Sequence, residues 1–176
     1  YEYLDLLRSR LGPIDACGVD GGMVARARHR AGFPWRGGRW CTQELKIEPL
    51  RAYHHAVERD VGHETVCAMG IRHEEGTATN GRSVALEIED EPVGPRSWGG
   101  WIWRPILQWS IADVLAIHHR HGIEIHPHYR WGFGRVGCYP CIFANKEQVR
   151  LTAERAPSRI DTIRALRRDR ALAVYY

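Results

Sequence analysis

An α/β domain, with a layered parallel sheet flanked by helices, is predicted by three features of the chain. Apolar stretches of strand length alternate with segments of helical periodicity. One of those stretches, Glu64–Ile71 (ETVCAMGI), has the character of a buried strand, as a parallel sheet requires. The 176 residues, 44% hydrophobic and 26% charged, amount to one globular domain with an ordinary core. Residues 1–176 therefore read as a single domain, with a cysteine-bearing loop and following helix at 132–157 inside it.

The elements follow in order. Leu4, Leu7 and Leu11 fall at helical spacing, so Tyr1–Leu11 is an amphipathic helix closed by Gly12–Pro13. It starts without a capping residue, and the chain is expected to begin inside a larger domain. Ile14–Val19 is expected as a short strand, and the basic, glycine-bearing Arg26–Arg39 as a loop. Helical spacing returns at Leu45, Leu50, Tyr53 and Val57, with Pro49 near the start. After the Glu64–Ile71 strand, Glu74–Trp98 is polar and glycine-rich, a long loop with one strand at Val84–Ile88. Ser110 and Asp113 form a capping box for a helix running to about His121. Ser158 and Asp161 repeat the device for a last helix, whose Arg164, Arg167, Arg168 and Arg170 make a basic face.

Composition excludes several classes. No apolar run approaches the ~20 residues of a membrane span. Tyr1–Leu11 is too charged for a signal peptide, so the expected location is cytoplasmic. The net charge of +4 is too small by itself to mark a nucleic-acid binder. The basic residues are nearly all arginine, since Lys46 and Lys146 are the lysines; the planar guanidinium suits phosphate, sulfate and carboxylate.

Five cysteines, Cys17, Cys41, Cys67, Cys138 and Cys141, fit metal or catalytic use better than a disulfide framework. Cys138-Tyr-Pro-Cys141 is a C-x-x-C on a turn introduced by glycines, able to offer two thiolates to one metal. A redox pair at the start of a helix over Ile142–Arg150 is an alternative. Cys17 and Cys67 read as structural. Of the ten histidines, His126 and His128 are the candidate ligands. His54 and His55, adjacent on a helix, face different ways and do not readily share a site. Trp101, Trp103 and Trp109 read as core.

Four motifs carry a family resemblance. Arg39-Trp-Cys41-Thr-Gln-Glu-Leu-Lys46-Ile-Glu-Pro-Leu50 resembles the R-W-C-T-x-x-L-K-x-x-P motif of the phosphoadenosine phosphosulfate (PAPS) reductase family. Gly70-Ile-Arg72-His-Glu-Glu75 resembles its G-I-R-x-E-E-S. Arg104-Pro105-Ile106 followed by Trp109-Ser110 and Asp113-Val114 resembles its R-P-I-x-x-W-S-x-x-D-V, and Gly137-Cys138-x-x-Cys141-Ile142 its G-C-x-x-C-I.

The resemblance implies an adenine nucleotide alpha hydrolase-like fold. It implies a 4Fe–4S iron–sulfur cluster on Cys41, Cys138 and Cys141. Relatives with a Cys-Cys pair in the first motif have four thiolates; Trp40-Cys41 leaves three here, with one iron open to a sulfide or substrate atom. Cys17, His126 or His128 are candidates for a fourth ligand. Zinc on the same thiols plus a histidine is the alternative metal.

Lys46 and Arg72 become candidate catalytic residues. Arg39, Lys46, Arg72, Glu74, Glu75 and Arg82 become candidates for binding ATP or adenylyl sulfate. The expected activity is adenine-nucleotide-dependent sulfur transfer with a nucleic acid as one candidate acceptor: ATP adenylates an acceptor oxygen and sulfide displaces AMP. The alternatives are a reductase releasing sulfite from adenylyl or phosphoadenylyl sulfate with a thioredoxin-like thiol carrier, and a non-catalytic zinc-bound nucleic-acid-binding module. A homo-oligomer fits either enzyme, and no membrane partner is expected. The family's S-G-G-x-D-S nucleotide loop is expected upstream of Tyr1. Its C-terminal E-C-G-L-H motif has no match in this chain, which favours sulfur transfer over reduction.

Overall fold

The computed structural model describes residues 2–35, 37–74, 87–91, 100–134 and 136–168. Glu75, Arg82 and most of the expected Val84–Ile88 strand lie outside them. The chain forms two compact units, one from residues 1–45 and 125–176, the other from 46–124. The description is mixed α/β, as expected. Among the described residues no helix is long and apolar enough to cross a membrane.

The first unit opens with α1 (Glu2–Leu11), where acidic residues in the first turn and basic ones in the last complement the helix dipole. Gly12, at φ 97°, ends it in a conformation that side chains disfavour. The strand expected at Ile14–Val19 is irregular chain, because Asp15, Cys17 and Gly18 interrupt the apolar run and leave it mostly exposed. The expected Arg26–Arg39 loop begins inside a helix, α2 (Gly22–His29). Arg26 in this helix and Arg30 at its C-cap are held by an internal carboxylate: Glu44 is buried and pairs with Arg26 (3.6 Å) and Arg30. That partner is distant in sequence, so local pattern gave no sign of it.

Helix α3 (Trp40–Thr42) passes into a π-helical turn, Gln43–Ile47, which continues as α4 (Glu48–Val61). Pro49 sits in the first turn, where its missing N–H costs nothing, and Gly62 at φ 75° closes the helix. Beyond the second unit come α6 (Pro127–Arg130), α7 (Lys146–Arg155) and α8 (Pro157–Arg168), with α5 (Ile111–Arg120) belonging to the second unit. Asn145 and Gln148 form the capping box of α7. The expected Ser158 cap is displaced: Pro157 already opens α8, and Ser158 lies in its first turn, its carbonyl accepting from Thr162. Among the described residues, Ala27, Phe133, Leu151 and Leu166 are the buried apolar ones of this unit, beside the fully buried Thr152.

The second unit holds β1 (Cys67–Ala68), β2 (Ile88–Glu91) and β3 (Gly100–Trp103) in the order β1-β3-β2. The pair β1–β3 is parallel, with Cys67 opposite Ile102; β2–β3 is antiparallel, with Glu89 opposite Ile102. The described sheet is therefore mixed rather than parallel throughout. Residues 92–99 are too few for a parallel crossover, which needs a dozen or more. The buried strand expected over Glu64–Ile71 is reduced to two residues, and Val66 is 57% exposed.

Strand β3 was not expected from the sequence. Its Ile102 is buried while Trp101 and Trp103, expected in the core, face outward, as the period of two dictates. Arg104 follows, buried and paired with Glu89 at 2.9 Å. The Ser110–Asp113 capping box opens α5 as predicted, with Ser110 Oγ accepting from the Asp113 N–H at 3.2 Å. Because Ile102 is 1% exposed on the central strand, Ile102→Ala is expected to cost about 2–5 kcal/mol, measured as a fall in urea midpoint. A change within ~0.5 kcal/mol would contradict this account of the core.

Candidate metal and sulfur site

Cys41 lies in α3, directly after Trp40, and Cys138 and Cys141 lie in the turn between α6 and α7. All three belong to the first unit. Cys41 and Cys141 are half-buried and Cys138 is exposed. Burial pushes the Cys41 thiol above its ordinary range, and the Thr42 hydroxyl draws it back down. Cys138 raises it, Arg39 lowers it and Cys141 raises it again. The Cys41 sulfur therefore shares one electrostatic environment with both sulfurs of the C-x-x-C.

The backbone N–H of Phe143 points at Cys141 Sγ (3.5 Å), and the Ala144 N–H donates to the Cys141 carbonyl (2.9 Å), folding the loop around that sulfur. The Arg39 guanidinium lies over the Phe143 ring at 4.7 Å, tying the first cysteine motif to the second. From α8, Arg159 donates to the Tyr139 carbonyl at 2.8 Å and lies over the Tyr139 ring at 5.1 Å. Sequence reading missed Arg159 and Tyr139, since nothing local marks an arginine that reaches a loop twenty residues back. Helix α7 begins at Lys146, past the position a helix-activated redox pair needs.

Three thiols are soft donors, a set that suits zinc and iron–sulfur centres alike.

His128 packs beside this loop. It is buried, stacked on Phe133 (4.8 Å between ring centres) and flanked by Tyr139 (4.4 Å) and His126 (4.5 Å). With Cys138, Cys141 and Thr152 it lines a cavity of about 20 Å³, room for one water. Burial, then His126 and Arg159, hold the His128 imidazole below its usual range, and burial does the same to His126. His126 Nδ1 accepts from the His128 N–H at 3.2 Å and caps α6. Cys17, the other candidate fourth ligand, is exposed.

A sign follows for stability. His128 is neutral in the fold, so its contribution is present above its unfolded pKa of ~6.5 and falls as acid protonates the unfolded chain preferentially. Wild-type thermal stability is expected to drop on going from pH 7.5 to pH 5, and less steeply in His128→Phe. Parallel pH profiles would contradict a neutral, buried His128.

Arg72 follows the parallel strand β1 and donates to Glu74 Oε2 at 2.6 Å; Arg72 is largely buried and Glu74 exposed. Lys46, in the π-helical turn, is exposed and has no ion-pair partner among the described residues. π-Helical turns are frequent at functional positions, because the extra residue redirects neighbouring side chains.

The phosphoadenosine phosphosulfate reductase domain model matches residues 1–144, which include all four motifs. The chain belongs to this family. Its relatives include an uncharacterized 37.8 kDa protein of Escherichia phage 186, 29% identical over 90% of this chain and 60% of the phage protein. An uncharacterized protein of Methanocaldococcus jannaschii is 27% identical over 62% of this chain and 21% of its own length. The chain thus spans 60% of the length of the first of these curated relatives and 21% of the second.

Proposed function

We propose that this PAPS reductase-family chain carries the sulfur-handling part of an adenine-nucleotide-dependent sulfur-transfer enzyme, with a nucleic acid as acceptor. Cys41, Cys138 and Cys141 would hold a 4Fe–4S cluster. One observation carries this reading: Arg39, beside Cys41, lies over the Phe143 ring at 4.7 Å, so the first cysteine motif packs against the C-x-x-C loop although the two are far apart in the chain. Three thiols gathered in one compact unit offer a shared soft donor set, which a metal centre would bind as thiolates.

Bound there, the cluster would supply an iron without a protein ligand, suited to holding sulfide. The protein's own groups do the rest. The Phe143 N–H donates towards Cys141 Sγ and spreads its charge, while Arg39 offsets the charge on Cys41. His128, Phe133 and Tyr139 form an aromatic wall beside the loop. Arg159 anchors the loop backbone through Tyr139. Lys46 and Arg72 are assigned to the anionic groups of ATP and of the activated acceptor, where fixed cations stabilise developing charge. Glu74 orients Arg72.

Anaerobic loading with iron and sulfide tests the reading. A brown chromophore with both elements bound is expected. In the complete protein, ATP-dependent incorporation of sulfur into nucleic acid should accompany it. Sulfite release from adenylyl sulfate with a thiol carrier would favour the reductase instead, and binding of zinc alone would favour a non-catalytic module.

A further inference from the structure

Helix α4 carries a second set of donors, in the other unit and outside every family motif. His54 and His55 are adjacent and their rings diverge, with an angle of 59° between planes. Glu58 nonetheless lies between them. It is four residues from His54 and three from His55, about 40° round the helix from one and about 60° back from the other. His55 Nδ1 stands 3.1 Å from Glu58 Oε2, and His54 Nδ1 stands 3.8 Å from Glu58 Oε1. The ligand atoms of all three lie within 4.8 Å of one another. The sequence-based expectation that adjacent histidines do not share a site is thereby corrected: the carboxylate bridges the divergence.

We propose that His54, His55 and Glu58 bind a divalent transition-metal ion of the zinc type, and that Thr65 is the positioning residue of this site. Thr65 holds two of the three ligands at once. Its hydroxyl is 2.7 Å from His54 Nε2, and its backbone N–H donates to Glu58 Oε1 at 3.1 Å. A metal-binding imidazole characteristically engages an outer partner through its second nitrogen, which fixes the tautomer and leaves the other lone pair for the metal. Thr65 provides that partner for His54 and leaves Nδ1 facing the carboxylate.

The carboxylate is fixed at both oxygens, Oε1 by the Thr65 N–H at 3.1 Å and Oε2 beside His55 Nδ1 at 3.1 Å. Two imidazoles and one carboxylate select zinc, cobalt, nickel or copper over the oxygen-seeking calcium and magnesium. An open groove lined by His55, Glu58, Arg59, His63 and Glu64 gives the ion a solvent-accessible approach. Three protein ligands leave one tetrahedral position for water.

The experiment is a calorimetric titration of the full chain with Zn²⁺, its thiols blocked by N-ethylmaleimide so that the cysteines take no metal, and its fold checked by circular dichroism. One equivalent is expected to bind. His55→Gln and Glu58→Gln should each weaken it more than tenfold, and Thr65→Val by about 10–100-fold. His55 is half exposed, so His55→Gln decides the matter if Glu58→Gln misfolds. No binding to the wild-type chain, or equal affinity in His55→Gln, overturns the proposal.

Discussion

Cys138→Ala is expected to abolish iron loading while leaving the helices and sheet in place. Cys138 is exposed and its turn is held by other groups: Arg159 on the Tyr139 carbonyl, and the Cys141 carbonyl accepting from Ala144. Removing its sulfur therefore takes away a ligand and little packing. With two thiolates remaining, a cubane would lose a second protein ligand, and loading should fall to background. Iron and sulfide analysis after anaerobic reconstitution, beside far-ultraviolet circular dichroism, separates loss of ligand from loss of fold. Full iron content in the variant would show that the C-x-x-C is not a ligand pair.

Lys46→Ala is expected to lower sulfur-transfer turnover by about 10²-fold, the scale for losing one fixed charge at a developing anion. Its effect on stability should stay within ~0.5 kcal/mol, since the side chain is exposed and has no ion-pair partner among the described residues. Lys46→Arg should recover part of the loss, because charge is retained while the compact ammonium geometry is not. Equal turnover in Lys46→Ala, with unchanged thermal stability, would remove Lys46 from the chemistry.

Local devices of the fold were more legible in the sequence than the long-range packing around them. Ser110 and Asp113 announced α5 because a capping box is a local device whose donors and acceptors lie within one turn. Leu4, Leu7 and Leu11 announced α1 for the same reason. Helix α2 was hidden, because its arginines look like loop residues until Glu44 is seen to be buried against them. Strand β3 was hidden by its tryptophans: Gly-Trp-Ile-Trp looks like core on both sides, yet one residue of each pair must face out of a pleated strand. The antiparallel β2–β3 pair depends on connection length, which apolar runs do not encode.

In the cysteine site the split is similar. Motif resemblance named Cys41, Cys138 and Cys141, while Arg159, Tyr139 and the Arg39–Phe143 contact depend on long-range packing. The grouping on α4 depends on Glu58, which stands between two histidines whose own directions diverge.

The most direct test of a three-thiolate centre is differential alkylation of the five cysteines before and after anaerobic iron–sulfur loading, read by mass spectrometry. In the metal-free chain Cys41 should react more slowly than Cys138, since burial keeps it protonated. After loading, Cys41, Cys138 and Cys141 should all be protected, with Cys17 still modified. Continued modification of Cys41 in a chain whose C-x-x-C is protected would contradict the shared centre.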